Sequence, residues 1–138
     1  MKTAITVTLC FLSLVLLQAS PGHAVDTNED GNVDQWFEVA DGRVERVSMD
    51  NNYDSRIDYN VEYDIRHRKT YEEMDFNHDG RMDDFYYFEE GKLVRQEIDS
   101  NFDGRIDIWV HLEGMYIRKY EMDSDFDGVV DVVKDYEQ

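Results

Sequence analysis

Five copies of one nine-residue pattern constrain this chain more than any other feature. The pattern runs Asp, any residue, Asn or Asp, any residue, Asp, usually Gly, two further residues, then Asp. Its copies start at Asp26, Asp50, Asp75, Asp99 and Asp123, so successive starts lie 24, 25, 24 and 24 residues apart. A regular period of this length marks a repeat architecture, in which each unit is one supersecondary element stacked on its neighbours. Four full units cover 26–49, 50–74, 75–98 and 99–122, and a half unit covers 123–138.

Behind each loop the side chains alternate. One face takes Val33, Gln35, Phe37 and Val39 in the first unit and Ile57, Tyr59, Val61 and Tyr63 in the second. The third gives Met82, Asp84, Tyr86 and Phe88, the fourth Ile106, Ile108, Val110 and Leu112, and the last Val130, Val132, Lys134 and Tyr136. Gln35, Asp84 and Lys134 break an otherwise apolar series. A period of two in β-branched and aromatic residues reads as a half-buried strand. Asp41-Gly42, Glu90-Gly91 and Glu113-Gly114 then supply tight hairpin turns, since Gly accepts positive φ. The second unit carries Ile65-Arg66-His67 and one extra residue instead, which predicts a looser turn or a bulge. Return strands follow over 43–49, 69–74, 92–98 and 115–122, with Arg46, Arg95, Glu97, Lys119 and Glu121 available for cross-strand pairing on a wet face.

The expected fold is all-β: an antiparallel up-and-down meander of about nine strands, built from hairpin repeats, with the Asp-rich loops on one edge and the Gly turns on the other. The pattern leaves open whether the sheet stays flat, curls or closes. Trp36, Phe85, Tyr87 and Trp109 lie on the face opposite the apolar series, so a curled or barrel-like sheet would bury one set and show the other. The alternative is a dockerin-like repeat of loop and helix. Gly in mid-interval and runs of Val, Ile, Tyr and Phe argue against it, because they suit neither helix propensity nor a 3.6-residue period.

The loops have the composition of calcium sites. Calcium takes six to eight oxygen ligands in a flexible shell. Side chains at positions 1, 3 and 5 turn inward as the chain wraps an ion, Gly at 6 permits the bend, the carbonyl at 7 turns in, and position 9 closes the far side. Positions 1, 5 and 9 are Asp in all five copies; position 3 is Asn in four and Asp125 in the last. Gly occupies position 6 except in the second copy, which has Ser55. Position 8 is always apolar (Val33, Ile57, Met82, Ile106, Val130), which phases loop and sheet together. Magnesium demands a stricter octahedron, and zinc lacks its usual Cys and His ligands here.

This spacing resembles the calcium loops of EF-hands, of thrombospondin type 3 repeats and, above all, of integrin-type β-propeller repeats, where such a loop sits between two strands. The resemblance covers the nine loop residues and not the whole repeat, which is shorter than a propeller blade. It implies ligands Asp26, Asn28, Asp30, the Asn32 carbonyl and Asp34 in the first loop, and Asp50, Asn52, Asp54, the Arg56 carbonyl and Asp58 in the second. In the third they are Asp75, Asn77, Asp79, the Arg81 carbonyl and Asp83; in the fourth, Asp99, Asn101, Asp103, the Arg105 carbonyl and Asp107. The fifth takes Asp123, Asp125, Asp127, the Val129 carbonyl and Asp131. The EF-hand's Glu at position 12 has no counterpart: Phe37, Val61, Tyr86, Val110 and Lys134 stand there. The Asp at 9 must then ligate directly, and opening of a helix pair is not expected.

The start of the chain reads as a secretory signal peptide. Lys2 precedes a nearly continuous apolar run from Ala4 to Leu17, and small residues end the segment at Ala24. A membrane anchor is the rival, but the run is short for a bilayer and no basic flank follows. The expected division is a signal peptide over 1–24 and a calcium-binding β-repeat domain over 25–138, placing the mature protein outside the cell or in the periplasm. Losing Lys2 leaves 13 basic against 32 acidic residues, a net charge of −19. Such a surface disfavours nucleic acid and anionic lipid as partners. An aromatic content of 13% argues against disorder. The one Cys, Cys10, falls in the signal, so no disulfide staples the domain, and bound metal is the available stabiliser. The expected function is a secreted or periplasmic calcium-binding repeat protein, structural or interacting with a protein partner, with calcium needed for folding. The alternative is a soluble calcium buffer or sensor with a calcium-dependent partner. Enzyme activity is not expected: no Cys nucleophile or Gly-x-Ser-x-Gly elbow is present, and His67, His78 and His111 read as surface residues.

Overall fold

The structure is a computed structural model that describes residues 23–136. The expected signal segment lies outside the described residues except for His23 and Ala24. Ten strands form, and no helix occurs among the described residues: β1 (His23–Val25), β2 (Gln35–Ala40), β3 (Arg43–Met49), β4 (Tyr59–Tyr63), β5 (Lys69–Met74), β6 (Asp84–Glu89), β7 (Lys92–Ile98), β8 (Ile108–Glu113), β9 (Tyr116–Met122) and β10 (Val132–Asp135). They make one antiparallel sheet in strict sequence order, β1 to β10, which does not close into a barrel. The meander expected from the alternation is therefore present, and the loop–helix alternative is excluded. The tenth strand is β1, which straddles the expected cleavage point and pairs His23–Val25 with Gln35–Phe37.

Three of the return strands begin and end where the sequence places them, over Arg43–Met49, Lys69–Met74 and Lys92–Ile98. The fourth turn is displaced by one residue. It uses Gly114 and Met115 rather than Glu113 and Gly114, with Glu113 still in β8 opposite Tyr116. Gly114 there has φ +66 as the first central residue, the place a type II′ turn reserves for glycine. Asp41-Gly42 and Glu90-Gly91 have positive φ at both residues (52 and 75, 52 and 78), the type I′ pattern. In the second unit the wider turn expected over 64–68 is closed by Asp64, whose Oδ1 accepts the N–H groups of Arg66 (2.7 Å) and Arg68 (3.0 Å). A bulge is not peculiar to that hairpin. The register shifts in all four, between Glu38/Val39, Glu62/Tyr63, Tyr87/Phe88 and His111/Leu112. Each shift lies two or three residues before the turn and adds local twist.

Because pairing is in register, side chains form rungs across the sheet. On the apolar face one rung runs Phe37, Val47, Val61, Glu72, Tyr86, Gln96, Val110 and Tyr120. Val47 (7% exposed) and Val61 (2%) are its most buried apolar members. Polar groups interrupt the middle of this face. Asp84, buried at 6%, accepts the Tyr86 hydroxyl at 2.7 Å and the Gln96 amide at 2.9 Å, while Glu72 pairs with Lys69 at 2.5 Å. Burial and the neighbouring Glu72 raise the Tyr59 hydroxyl pKa.

The other face is a lattice of charges and rings. Arg46 bridges to Glu62 at 2.8 Å, Arg95 lies 4.0 Å from the Tyr87 ring centroid, and the Tyr71 and Tyr87 rings sit 5.4 Å apart. His111 and Lys119 both reach Glu121, at 3.0 and 2.8 Å, and hold its carboxyl below the usual range, with Lys119 the larger influence. The expected cross-strand pairing is formed in part: Arg46 meets Glu62 and Glu121 meets His111 across strands, whereas the ion pairs Arg95–Glu97 and Lys119–Glu121 each lie within one strand. No described helix is long and apolar enough to cross a membrane.

Candidate metal loops

All five Asp-rich loops lie at one end of the sheet, each joining a return strand to the next outgoing strand, and all share one internal geometry. The position-1 carboxylate caps the bend from inside: its Oδ2 accepts the N–H of position 6 at 2.6–2.8 Å, from Gly31, Ser55, Gly80, Gly104 and Gly128. The position-5 carboxylate accepts the N–H of position 7 at 2.8–2.9 Å. In the first four loops the position-9 Oδ2 accepts the N–H of position 2 at 2.7–2.9 Å; in the fifth, the Ser124 N–H reaches Asp131 Oδ1 at 3.2 Å. The backbone is left-handed at position 4 (Glu29, Tyr53, His78, Phe102, Phe126) and again at position 6. Ser55 follows the same path at φ 71, where the four glycines have φ 91–96, and keeps its N–H on Asp50.

Consecutive loops are zipped together. The N–H of position 1 donates to the position-9 carbonyl of the preceding loop: Asp50 to Asp34, Asp75 to Asp58, Asp99 to Asp83 and Asp123 to Asp107, each at 2.8 Å. Each loop also closes on itself, because its position-9 N–H donates to the carbonyl just before position 1, as Asp58 does to Met49 at 2.9 Å. This ladder buries one carboxylate from each side of every junction. Asp34, Asp50, Asp58, Asp75, Asp83, Asp99, Asp107 and Asp123 are all 5% exposed or less. The ends of the row differ: Asp26 is half-buried and Asp131 exposed. Positions 3 and 5 stay at the outer rim, nearly all exposed.

Position 3 separates the loops into two kinds. In the first four, the Asn amide nitrogen donates to the position-5 carboxylate at 3.1–3.3 Å, from Asn28, Asn52, Asn77 and Asn101. The Asp125 side chain has no N–H to offer, and the neighbouring Asp127 charge raises its pKa. Its carboxylate instead lies with those of Asp123 and Asp131, the three offering oxygens within 4.8 Å of one another. This is a group able to hold a metal ion, and it is the one such His, Cys, Asp or Glu cluster among the described residues. Its donors are all oxygens, the chemistry a hard cation prefers.

The remaining electrostatics follow local partners. The Asn32 N–H and the Asn28 amide lower the Asp30 pKa, and the Arg81 guanidinium lowers that of Asp79. Burial raises the Asp83 carboxyl against the pull of the Phe76 and Asn77 N–H groups. His78 is exposed, as expected of a surface residue, and its Nδ1 also meets Asp58 Oδ1 of the preceding loop at 3.0 Å, a contact that raises its pKa.

The apolar residue at position 8 lies two residues ahead of each outgoing strand rather than inside it. Ile57, Met82 and Ile106 are half-buried there, and Val33 and Val130 at the two ends are exposed. Position 7 contributes its side chain as well as a carbonyl. Arg56 Nη1 donates to the Asp79 carbonyl at 3.0 Å and Arg81 Nη2 to the Phe102 carbonyl at 2.8 Å, each reaching the next loop. Arg recurring at position 7 was the one sequence signal for these contacts. No protein-family model matches the chain, and the search of curated proteins finds no match for it either.

Proposed function

We propose that this chain is a secreted or periplasmic calcium-binding repeat protein with a structural or interaction role, and that calcium completes its folding. One observation carries the reading: eight aspartates stand almost fully buried in a row along one sheet end of a strongly acidic chain. Burying carboxylates is costly unless opposite charge compensates. Among the described residues, His78 meets one of the eight, Asp58, and Arg56 and Arg81 donate to backbone carbonyls nearby; these cations are too few to balance the row. Calcium in each loop supplies two positive charges against three or four carboxylates, through the ligand positions set out above, from Asp26 to Asp131. The resemblance to integrin-type propeller loops supports the same assignment for the Asp at position 9.

Calcium at ten times its dissociation constant stabilises the folded chain by about 1.4 kcal/mol per site, and five independent sites would give roughly 7 kcal/mol. That is comparable to the whole stability of a small domain, and this sheet has only a thin apolar core. The face bearing Trp36, Phe85, Tyr87 and Trp109 is the surface offered to a protein partner. Titration calorimetry on residues 25–138 should count up to five calcium ions, and thermal melts should show a large fall in melting temperature on adding chelator. An unchanged melting temperature would refute the structural role; absence of calcium uptake would refute the assignment.

A further inference from the structure

We propose that the second, third and fourth loops take up cations as one cooperative unit, strapped together by Arg56 and Arg81, while the first and fifth load separately. Cooperative loading presupposes that the loops bind calcium as proposed above; the strap itself is a feature of the fold. Arg56 leaves position 7 of the second loop, crosses the bend of the third, and donates to the Asp79 carbonyl. It lies so close over Gly80 that a Cβ there would sit 3.1 Å from Nη1. Arg81 repeats this one loop further on, donating to the Phe102 carbonyl and lying 2.9 Å from the site of a Gly104 Cβ. His78 adds a second tie from the third loop back to Asp58 of the second.

The series stops at both ends. Nothing lies within 4 Å of a Cβ built at Gly128, so Arg105 does not cover the fifth loop. The first loop has Asn32 at position 7, too short to cross, and a small gap lined by Asn32, Asp34, Asp50, Tyr53 and Ser55 lies at its junction with the second. The outer junctions thus keep their single backbone bond, Asp50 to Asp34 and Asp123 to Asp107, without an arginine across it.

Arg56 and Arg81 each have two jobs in one residue. The backbone carbonyl is a proposed ligand of its own loop, and the side chain fixes the bend of the next. An ion that orders the second loop therefore fixes the root of Arg56 and so orders the third loop before it binds. A loop already ordered loses less conformational entropy on binding, which is positive cooperativity without a change of fold. Coupling of this kind is reciprocal.

The test is calcium titration of the mature chain by calorimetry and tryptophan fluorescence. Wild type should show a steep class of three ions with a Hill coefficient of about 2, below the limit of three set by the number of linked sites, and a separate non-cooperative class. R56A/R81A should keep calcium uptake but lose the steep class, its Hill coefficient falling to about 1. R66A/K92A makes the same charge change at the turn end and should leave the steepness alone. A mere charge effect of the arginines would shift the midpoint of R56A/R81A without changing its slope, and would overturn the strap. A wild-type Hill coefficient of 1 would do so too, leaving calcium binding intact. No uptake by wild type would overturn calcium binding and, with it, the cooperative loading. If R56A/R81A does not fold, N32R/S55G decides: it builds a strap across the first junction, so the cooperative class should grow from three to four, and an unchanged class would overturn the proposal.

Discussion

Ser55 is the one position-6 residue of the five loops that is not glycine, and replacing it by glycine gives a prediction whose size can be worked out. Its φ of 71 lies in the left-handed region, where the other four loops place Gly. Left-handed backbone costs an L-residue roughly 1–2 kcal/mol. Glycine removes that cost but adds about 0.5–1 kcal/mol of unfolded-state freedom. The N–H that caps Asp50 at 2.8 Å is a backbone group and survives the change. S55G should therefore stabilise the folded protein by about 0.5–1 kcal/mol net. Urea denaturation in saturating calcium should show a higher midpoint at unchanged slope, the signature of a pure stability change. If the strain falls on the ordered loop alone, calcium affinity of the second site should rise about two- to fivefold. Gly104 is the mirror test. It has φ +91, and an added Cβ would meet Arg81 Nη1 at 2.9 Å, so G104A should lose about 1–2 kcal/mol or more. Loss of stability in S55G, or no loss in G104A, would refute the strain reasoning at position 6.

Three further outcomes follow from the sheet. Val61 is 2% exposed between Val47 and Glu72, so V61A should cost about 1.5–3 kcal/mol by denaturant titration, from lost transfer energy and an unfilled space. Arg95 lies 4.0 Å from the Tyr87 ring centroid and 3.4 Å from Glu97, and R95A should cost about 0.5–1 kcal/mol, whereas a cost near zero would show that the stacked cation contributes nothing. Asp64 is held down to about 2, chiefly by the Arg68 N–H, with the Arg68 guanidinium and the Arg66 N–H adding to it. A depressed carboxylate contributes stability above its unfolded value near 3.9 and loses it as pH falls through the folded value. The stability gap between wild type and D64N should accordingly be full at pH 5 and shrink towards pH 2; a gap independent of pH would show that the turn does not depend on the charge.

Much of this structure was legible because the chain says the same thing five times. Period-two alternation after each loop and Asp-Gly or Glu-Gly at three of the four turns are local rules, satisfied by neighbouring residues alone. The strand ends at Met49, Met74 and Ile98 followed from them. The displaced fourth turn shows where local rules tie: Glu113-Gly114 and Gly114-Met115 both accommodate a tight turn, and the pairing of Glu113 with Tyr116 chose the second. His78 shows where local rules say nothing, since its partner Asp58 lies twenty residues away.

The sequence by itself determined the unit: a hairpin, a nine-residue loop whose glycine bend falls at position 6, and oxygen donors at fixed intervals. Only the tertiary structure decided what happens between units. Pairing β1 to β10 in strict order sets consecutive loops side by side and buries Asp at position 9 of one against Asp at position 1 of the next. It also brings Arg56 and Arg81 across Gly80 and Gly104. Exposure and cross-loop contact depend on which backbone lies alongside, and a repeat read along the chain carries no term for its neighbour. The same ladder explains why identical residues differ at the ends, where Asp131 remains exposed while Asp34, Asp58, Asp83 and Asp107 are buried.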